Sequence, residues 1–263
     1  MDSGLDGKRA LITGGGEGIG LGIALALAAE GVHVAVASRS EHPEALDEIR
    51  THGVDATWIR ADVSREDDIV RMVAEAANRL GGLDLYVNNA AGTWHEPITR
   101  LTSDAWRRTL DTNVTACALA CREVGRRFVA QGTGSILIVG STAGHTPLYQ
   151  EAAYRVSKAG LKVLMEVVAI ELAPFRIRVN LLTPGGALTR LVAELPPSQT
   201  DGHEVPLRRL GRVEEYGAAA VLLLSEKLSS YTTGTELLVD GGFHLRPMNI
   251  WSDEQIRDFN APA

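Results

Sequence analysis

Short apolar runs alternate with longer amphipathic segments along almost the whole chain of 263 residues. The runs predict strands at residues 10–13, 32–37, 57–60, 83–87, 135–139, 177–182 and 236–239. The segments between them predict helices at residues 19–30, 43–52, 64–80, 104–130, 151–172 and 213–225. Runs that are apolar throughout are typical of parallel strands that are buried on both faces. The alternation therefore predicts an α/β fold in which helices cover both faces of a parallel sheet of about seven strands.

Two of the predicted helices carry local signals that refine their course. Ser64 and Asp67 have the spacing of a capping box, which predicts that the third helix begins at Ser64. The long helix at residues 104–130 is predicted to be interrupted near Asp111.

Composition excludes several classes of protein. Hydrophobic residues make up 45% of the chain and charged residues 22%, which is ordinary for a packed globule and excludes a disordered chain, a collagen and a coiled coil. A net charge of −7 lacks the Lys/Arg excess that binds phosphate backbones, so no nucleic-acid partner is expected. No stretch reaches the ~18 apolar residues of a membrane span, and no basic start leads into an apolar run. Neither a membrane span nor a signal peptide is therefore expected.

Cys117 and Cys121 are the chain's two cysteines. A spacing of four places both thiols on one face of a helix and differs from the Cys-x-x-Cys spacing of redox and metal sites. We interpret them as small apolar packing residues, and we expect no metal site. The absence of a disulfide framework predicts a reducing, cytoplasmic compartment.

No linker or internal repeat divides the sequence, so residues 1–263 are predicted to form a single domain. Residues 186–211 are the least regular stretch and are predicted to form a substrate lid. The tail at residues 243–263 carries apolar side chains among polar ones, and it is predicted to pack on the body or on a neighbouring subunit.

A glycine-rich loop, Thr-Gly-Gly-Gly-Glu-Gly-Ile-Gly from Thr13 to Gly20, joins the first predicted strand to the first helix. Its glycines allow a tight turn and a close approach to a pyrophosphate, and the helix N-terminus offers unpaired N–H groups to the anion. This position in the first βα unit is that of the phosphate loop in Rossmann-type doubly wound folds. We expect the cofactor to contact Gly14, Gly16, Glu17, Gly18, Ile19 and Gly20.

The end of the second strand predicts which dinucleotide binds. An acidic residue there accepts hydrogen bonds from the ribose 2′-OH of NAD, whereas this chain has Ser38, Arg39 and Ser40. The Arg39 guanidinium would pair with a 2′-phosphate and the two hydroxyls would donate to it, so NADP(H) is preferred and NAD(H) is the alternative. Asp62 and Val63, after the third strand, are expected to flank the adenine.

Tyr154 and Lys158 lie four residues apart in a long predicted helix, so the phenol and the ammonium share one face. An adjacent cation stabilises a phenolate, which predicts that Lys158 lowers the pKa of Tyr154 and makes it an acid–base group. Ser141 ends the fifth strand thirteen residues before Tyr154. Asn113 lies inside a predicted helix, where asparagine is unfavourable without a specific role.

Taken together, these residues resemble the short-chain dehydrogenase/reductase superfamily, in its single-domain branch, over about residues 5–242. The family's Thr-Gly-x-x-x-Gly-x-Gly motif falls on Thr13, Gly14, Gly18 and Gly20. Its Asn-Asn-Ala-Gly motif falls on Asn88, Asn89, Ala90 and, in place of glycine, Ala91. Its catalytic Asn-Ser-Tyr-Lys tetrad falls on Asn113, Ser141, Tyr154 and Lys158. Its Pro-Gly and downstream Thr fall on Pro184, Gly185 and Thr189, and its closing Val-Asp-Gly-Gly falls on residues 239–242.

The resemblance implies a hydride transfer between a nicotinamide cofactor and a carbonyl or secondary alcohol. Tyr154 would protonate the carbonyl oxygen or deprotonate the alcohol, and Ser141 would hold and polarise that oxygen. Lys158 would lower the pKa of Tyr154 and hydrogen-bond the nicotinamide ribose. Asn113 would position a water that links Lys158 to solvent.

The resemblance also implies further contacts with the cofactor. Asn89 and Ala90 would pass its adenosine side, and Pro184 and Gly185 would follow the sixth strand into the same site. Thr189 would contact the nicotinamide carboxamide or the diphosphate.

The substrate pocket is expected to be lined by segments 93–96, 143–150 and 186–195. Its predicted residues are Trp94, His95, His145, Leu148, Tyr149 and Gly186. This mixture of apolar and polar side chains suits a small or mid-sized carbonyl or alcohol compound.

The alternatives differ in chemistry or in assembly. An NAD-dependent alcohol dehydrogenase of the same family, a non-catalytic dinucleotide-binding protein and a sugar-nucleotide epimerase would each share part of these motifs. The complete tetrad argues against the second, and the loop pattern and chain length argue against the third.

The predicted helices 104–130 and 151–172 are apolar around most of their circumference, and the resemblance implies that they form the interface of a homodimer or homotetramer.

Overall fold

The structure is a computed structural model that describes residues 2–189 and 202–245. Its strands are β1 Arg9–Thr13, β2 His33–Ser38, β3 Ala56–Arg60, β4 Leu85–Asn88, β5 Gly134–Val139, β6 Ile177–Pro184, β7 Ala187–Leu188, β8 Gly211–Arg212 and β9 Glu236–Val239. Its helices are α1 Gly18–Ala29, α2 Pro43–Arg50, α3 Glu66–Arg79, α4 Ser103–Leu110, α5 Ala116–Gln131, α6 Ala152–Leu172, α7 Val213–Leu224 and α8 Glu226–Ser229. Every predicted element is present, and its outer bounds lie within two residues of the prediction.

The main sheet places the strands in the order β3-β2-β1-β4-β5-β6-β9, and all of its described pairings are parallel. One hydrophobic cluster lies between the sheet and α1, α2 and α7, and a second lies between the sheet and α3, α5 and α6. The predicted doubly wound α/β fold is therefore confirmed. The chain order reverses between β1 and β4, and in such sheets ligands bind in the crevice outside the carboxyl ends of the strands at this point.

Two local predictions about the helices have different outcomes. The predicted capping box is wrong, because α3 begins at Glu66. Asp62 Oδ1 instead accepts hydrogen bonds from the Ser64 amide at 3.0 Å and the Ser64 hydroxyl at 2.7 Å, which holds both residues in a turn. The predicted interruption near Asp111 is confirmed, since a π-helical turn, Asp111–Thr115, separates α4 from α5.

Helices α1 and α7 cross at close range because glycines lie at the contact. A Cβ added to Gly217 would lie 2.6 Å from the carbonyl oxygen of Gly22 and 2.7 Å from the Cβ of Ala26. A Cβ added to Gly22 would lie 2.6 Å from the carbonyl oxygen of Val213. The close crossing seats α7 on the helix that follows the glycine-rich loop.

The segments predicted as lid and tail are only partly described. The predicted lid, residues 186–211, was expected to be irregular, but it begins with β7 and ends where β8 begins, and these two short strands pair in parallel. Residues 190–201 of that lid, and residues 246–263 of the predicted tail, lie outside the described residues. Across the part of the chain that is described, no helix combines the length and apolar character needed to cross a membrane.

The crossing of α1 and α7 predicts an unusual response to alanine. Alanine is ordinarily about 1 kcal/mol better than glycine inside a helix. We expect Gly217→Ala to lower the free energy of unfolding by about 1–3 kcal/mol, because the added methyl group overpacks the contact. Gly160→Ala on α6, where an added Cβ has nothing within 4 Å, is the matched control and should be neutral or stabilising. Urea unfolding measures both, and a stabilised Gly217→Ala variant would contradict the overpacking argument.

Candidate active site

The glycine-rich loop lies at the carboxyl end of β1, directly beside the end of β4. Gly14 and Gly18 have φ angles of +64° and +54°, which residues other than glycine rarely adopt. A Cβ on Gly20 would meet the Gly14 carbonyl oxygen and lie 2.5 Å from Asn89 Nδ2. Asn89 Nδ2 itself donates to the carbonyl oxygens of Thr13 at 3.1 Å and Gly14 at 3.0 Å. The loop thus offers open backbone at the N-terminus of α1, where a pyrophosphate would fit.

Other residues predicted to bind the cofactor gather around the same loop. The Thr13 hydroxyl accepts hydrogen bonds from the amides of Asn89 at 3.0 Å and Ala90 at 3.1 Å. A Cβ on Gly18 would lie 3.4 Å from Thr189 Cγ2, so the segment after β6 reaches the loop from the other side. Pro184 ends β6, and the Gly185 amide donates to the Val239 carbonyl oxygen at 3.0 Å.

The remaining predicted residues of this loop, Gly16, Glu17 and Ile19, lie at the entry to α1, with Glu17 exposed as the N-cap residue. Gly16 is covered by a residue that the sequence did not single out. A Cβ on Gly16 would collide with the imidazole of His42, the residue before α2. His42 belongs to no recognised sequence motif, so its position beside the loop is visible only in the folded structure.

The end of β2 differs in one respect from the prediction. Arg39 and Ser40 are exposed, and Arg39 has no ion-pair partner among residues 2–189 and 202–245. The Ser38 hydroxyl, however, donates to the Ser40 carbonyl oxygen at 2.6 Å and accepts from Trp58 Nε1 at 3.0 Å. The single hydrogen of the Ser38 hydroxyl is thus given to the Ser40 carbonyl oxygen, and a bond to a phosphate would need this hydroxyl to turn away from it, so donation by Ser38 stays a prediction. Asp62 and Val63 lie after β3, where the Asp62 carboxylate holds the turn before α3.

Ser141, Tyr154 and Lys158 converge where β5 ends and α6 begins. Burial is the largest influence on the pKa of the Tyr154 phenol and raises it, and the Glu151 carboxylate raises it further. The Ser141 hydroxyl and the Arg155 guanidinium act in the opposite direction, but the net shift is upward. The pKa of Tyr154 is therefore raised, contrary to the expected fall, and Lys158 is not among the groups that shift it. Lys158 Nζ lies 5.8 Å from the centroid of the Tyr154 ring and donates instead to the Val139 carbonyl oxygen at 3.1 Å.

Lys158 is a buried cation with few partners. Burial lowers the pKa of its ammonium from 10.5 to about 8. An ammonium has three donors, and Val139 is its one hydrogen-bond acceptor within the described ranges. Its remaining N–H donors suit the expected hydrogen bond from Lys158 to the nicotinamide ribose.

Asn113 lies in the π-helical turn and clamps a loop to a helix. Its Oδ1 accepts from the Gly92 amide at 2.8 Å, and its Nδ2 donates to the Gly92 carbonyl oxygen and to Ser157 Oγ, both at 2.9 Å. Ser157 Oγ donates in turn to the Tyr154 carbonyl oxygen at 2.6 Å. Both amide hydrogens of Asn113 are thus committed to the protein, so the predicted water is not held by them. The Asn113 side chain fixes the loop after β4 against the helix that carries Tyr154.

The segment after β4 departs from the family motif at Ala91, and the structure accommodates the change. Ala91 is exposed, so its methyl group points away from the core. The next residue, Gly92, supplies the backbone groups that Asn113 holds. The Trp94 ring packs against Gly92, since a Cβ there would lie 2.8 Å from two of its ring carbons.

Two of the three expected substrate segments, 93–96 and 143–150, meet through a polar cluster that includes Glu151, three residues before Tyr154. His95 Nδ1 lies 3.6 Å from Glu151 Oε1, and the Glu96 amide donates to the Gln150 carbonyl oxygen at 2.9 Å. Glu151 also pairs with Arg155, at 2.9 Å. The sequence reasoning missed Glu151 and Arg155, although their spacing of four on one helix end was available as a signal.

Four other predicted pocket residues have distinct surroundings. Leu148 and Tyr149 are exposed. The Gly186 carbonyl oxygen accepts from the Tyr216 hydroxyl at 3.1 Å and from the Gly211 amide at 2.9 Å. His145 Nε2 lies 2.6 Å from Glu236 Oε1, a partner 91 residues away that the sequence did not predict.

The buried ammonium of Lys158 predicts a pH-dependent gain in stability when it is removed. Its pKa is about 8 in the folded protein and 10.5 for an unperturbed lysine side chain, so the unfolded chain binds more protons between these pH values. The cost of burying the cation, about 3 kcal/mol, is complete below pH 8 and disappears towards pH 10.5. We expect Lys158→Met to raise the melting temperature most at pH 6–7 and hardly at pH 10, as measured by differential scanning fluorimetry.

The exposed Lys8 provides the control for that measurement. Lys8→Met removes the same charge from the protein surface. A Lys158→Met gain that is equal at all pH values would show that lost charge burial is not its cause.

Comparison with known proteins places this arrangement in a family. The family described as enoyl-(acyl carrier protein) reductase matches residues 14–244. Dehydrogenase/reductase SDR family member 4 of Homo sapiens is 37% identical over 245 residues, which cover 90% of this chain and 88% of that protein.

Two solved structures are similar over nearly the full chain. A short-chain type dehydrogenase/reductase from Mycobacterium marinum superposes with a TM-score of 0.84 and 38% identity, covering 91% of this chain and 96% of the other. An NAD+-bound xylitol dehydrogenase has a TM-score of 0.81 and 31% identity, covering 90% and 99%. The chain therefore belongs to the short-chain dehydrogenase/reductase superfamily and is an NAD(P)-dependent oxidoreductase that acts on CH–OH groups.

Proposed function

We propose that the protein is an NADP(H)-dependent oxidoreductase that interconverts a carbonyl and a secondary alcohol on a small or mid-sized substrate. Its substrate would be of the kind that 3-oxoacyl reductases or sugar, polyol and ketone reductases use. The observation that carries the proposal is the convergence of Ser141, Tyr154 and a buried Lys158 after β5, at the same carboxyl edge of the parallel sheet as the glycine-rich loop. An NAD-dependent alcohol dehydrogenase is the alternative.

The nicotinamide cofactor, when bound, supplies or accepts the hydride, and the chain supplies orientation and the proton. The raised pKa of Tyr154 keeps its phenol protonated at neutral pH, so it can donate a proton to a carbonyl oxygen. Ser141 would donate a hydrogen bond to the same oxygen and polarise it. Lys158 would use its remaining donors to hold the cofactor ribose and to stabilise the phenolate that forms.

The residues that would hold the cofactor fit a dinucleotide. Gly14, Gly18 and Gly20 leave backbone accessible at the start of α1, and Asn89 fixes the loop. The exposed guanidinium of Arg39 at the end of β2 favours a 2′-phosphate. The similar xylitol dehydrogenase is described as NAD+-bound, which keeps NAD(H) as the alternative cofactor.

A polar substrate is supported by the surroundings of Tyr154. His95, Glu151 and Arg155 bring charged and hydrogen-bonding groups together, and Leu148 and Tyr149, in the segment just before Glu151, expose apolar surface. We assign the predicted pocket to this mixed surface, which suits a hydroxylated or carbonyl compound of moderate size.

We also propose that the enzyme is a homodimer or homotetramer. Helix α6 exposes large apolar side chains on the isolated chain, among them Val163, Val167 and Ile170. An exposed apolar stripe of this kind is typical of a subunit interface. Both cysteines are free and buried, which supports a reducing, cytoplasmic compartment.

A titration and a substrate panel test the proposal as a whole. Intrinsic fluorescence would measure the Kd of NADPH and NADH, and absorbance of the reduced nicotinamide would follow aldehydes, ketones, polyols and 3-oxoacyl thioesters. Turnover of a carbonyl or alcohol with tighter NADPH binding is the expected outcome. Tighter binding of NADH would reject the cofactor preference and leave the reaction class intact.

Removing the phenol hydroxyl tests the acid–base role. We expect Tyr154→Phe to lower kcat by about 10²–10⁴-fold, because the proton donor is lost, while the Kd of NADPH changes little. Tyr231→Phe, at a fully exposed tyrosine, is the matched control and should keep wild-type kcat. Full turnover by Tyr154→Phe would favour a non-catalytic or differently catalysed protein.

Removing the guanidinium at the end of β2 tests the cofactor preference. We expect Arg39→Ala to weaken NADPH binding by about 10- to 100-fold, the loss of one charge-assisted hydrogen-bonded pair, and to leave NADH binding unchanged. Arg176→Ala is the control, since that exposed arginine lies just before β6, at the amino ends of the parallel strands, whereas Arg39 lies at their carboxyl ends. Equal losses for both cofactors would mean that Arg39 does not read the 2′-phosphate.

A further inference from the structure

Glu236, the first residue of β9, has a carboxylate that is nearly buried, with 9% of its side chain exposed. Its Oε1 accepts a hydrogen bond from the Thr183 hydroxyl at 2.6 Å and lies 2.6 Å from His145 Nε2. Its Oε2 lies 3.8 Å from Lys162 Nζ. A carboxylate can only accept, so His145 Nε2 carries the proton of the short contact.

Each of these three partners belongs to an element that carries the candidate site. His145 ends the short turn that begins at Ser141. Lys162 lies on α6, one helical turn beyond Lys158. Thr183 lies on β6, immediately before Pro184. Glu236 therefore connects the serine turn, the tyrosine helix and the strand that leads to the cofactor segment.

The serine turn has little freedom on its other side. A Cβ on Gly144 would lie 3.0 Å from the carbonyl carbon of Lys158 and 3.1 Å from the amide nitrogen of Ala159. The turn thus rests on the backbone of α6, and His145 ties its end to β9. A shift of His145 would be transmitted to Ser141 across only three residues.

The energetics favour a fixed cluster. A hydrogen bond to a charged group is about twice as strong as one between neutral groups. Leaving a buried carboxylate without its donors costs far more than the net value of the pair. Glu236 therefore holds its donors tightly, whereas the exposed ion pairs elsewhere on the surface contribute little.

We propose that Glu236 and His145 are positioning residues that set the place of the Ser141 hydroxyl relative to Tyr154. Neither residue touches the reacting atoms in this role. The inference rests on the proposed function, because it takes Ser141 and Tyr154 as the groups that hold the substrate oxygen. It differs from the prediction that His145 lines the substrate pocket, since a positioning role affects turnover and a pocket role affects substrate binding.

Two substitutions at His145 separate these roles. His145→Leu removes the donor to Glu236, and we expect kcat to fall about tenfold while KM and the Kd of NADPH change less than about twofold. His145→Gln places an amide Nε2 at a similar reach, so it should restore kcat to within about threefold of the wild-type value. His33→Leu is the matched control, because His33 is similarly exposed and pairs with Asp55 at the opposite end of the sheet.

A double-mutant cycle with Glu236→Gln keeps the test independent of any one variant's folding. This substitution is isosteric and retains Oε1, the oxygen that both the Thr183 hydroxyl and His145 Nε2 contact, so it removes the negative charge of the pair and leaves the Thr183 contact in place. If the two residues act as a pair, His145→Leu with Glu236→Gln should lower kcat no further than the worse single variant. Melting temperatures and far-UV circular dichroism establish that each variant is folded.

Three outcomes would overturn the proposal. They are a rise in KM with unchanged kcat in both His145 variants, a fall in kcat that His145→Gln does not restore, and a loss of stability with unchanged kcat. Tyr154→Phe, measured alongside, separates failures of the two ideas. If that variant loses turnover while the His145 variants keep it, the positioning role fails and the proposed function stands.

Discussion

The parallel pairing of β1 with β4 is the constraint on which the rest of the site depends. The pairing of Ile12 with Val87 brings the glycine-rich loop beside the end of β4. There the Thr13 hydroxyl accepts two amide hydrogens from the neighbouring strand end, and Asn89 returns two hydrogen bonds to the loop. Because the chain leaves these two strands in opposite directions, a crevice must open between them. The positions of the loop, the crevice and the candidate catalytic side chains after β5 all follow from this one junction.

Buried polar groups then set the positions of the catalytic side chains, in two different ways. Asn113 commits its carbonyl and both amide hydrogens to Gly92 and Ser157, so it is fixed by the protein alone. Lys158 is buried with a single acceptor among the described residues and a lowered pKa, so it keeps donor capacity at a cost in stability. Asn113 fixes the local geometry, whereas Lys158 keeps hydrogen-bond donors that a ligand can use.

How far the sequence predicts the site depends on how far apart the partners are in the chain. The spacing of Tyr154 and Lys158, and the glycine-rich loop between a strand and a helix, are local patterns, and they placed the elements correctly. The hydrogen-bond partners of Ser38 and the direction of the Tyr154 pKa shift were not predictable in the same way. Trp58 on the neighbouring strand donates to the Ser38 hydroxyl, and burial raises the pKa of Tyr154, for which a fall was expected. Both effects come from residues and environments that only the folded sheet assembles.

Two carboxylates, Glu236 and Glu151, bracket the segment between Ser141 and Tyr154. Near its start His145 is held by Glu236, and at its end Glu151 binds Arg155, whose guanidinium also donates to the Thr146 hydroxyl at 2.9 Å. Between these anchors the side chain of Tyr149 is exposed over 81% of its surface. A segment that is fixed at both ends and exposed in the middle separates the spacing of the two hydroxyls from the choice of side chains that face a substrate. In the proposed positioning role the anchors set the distance between the Ser141 and Tyr154 hydroxyls, so side chains at the open middle would be free to differ with the substrate.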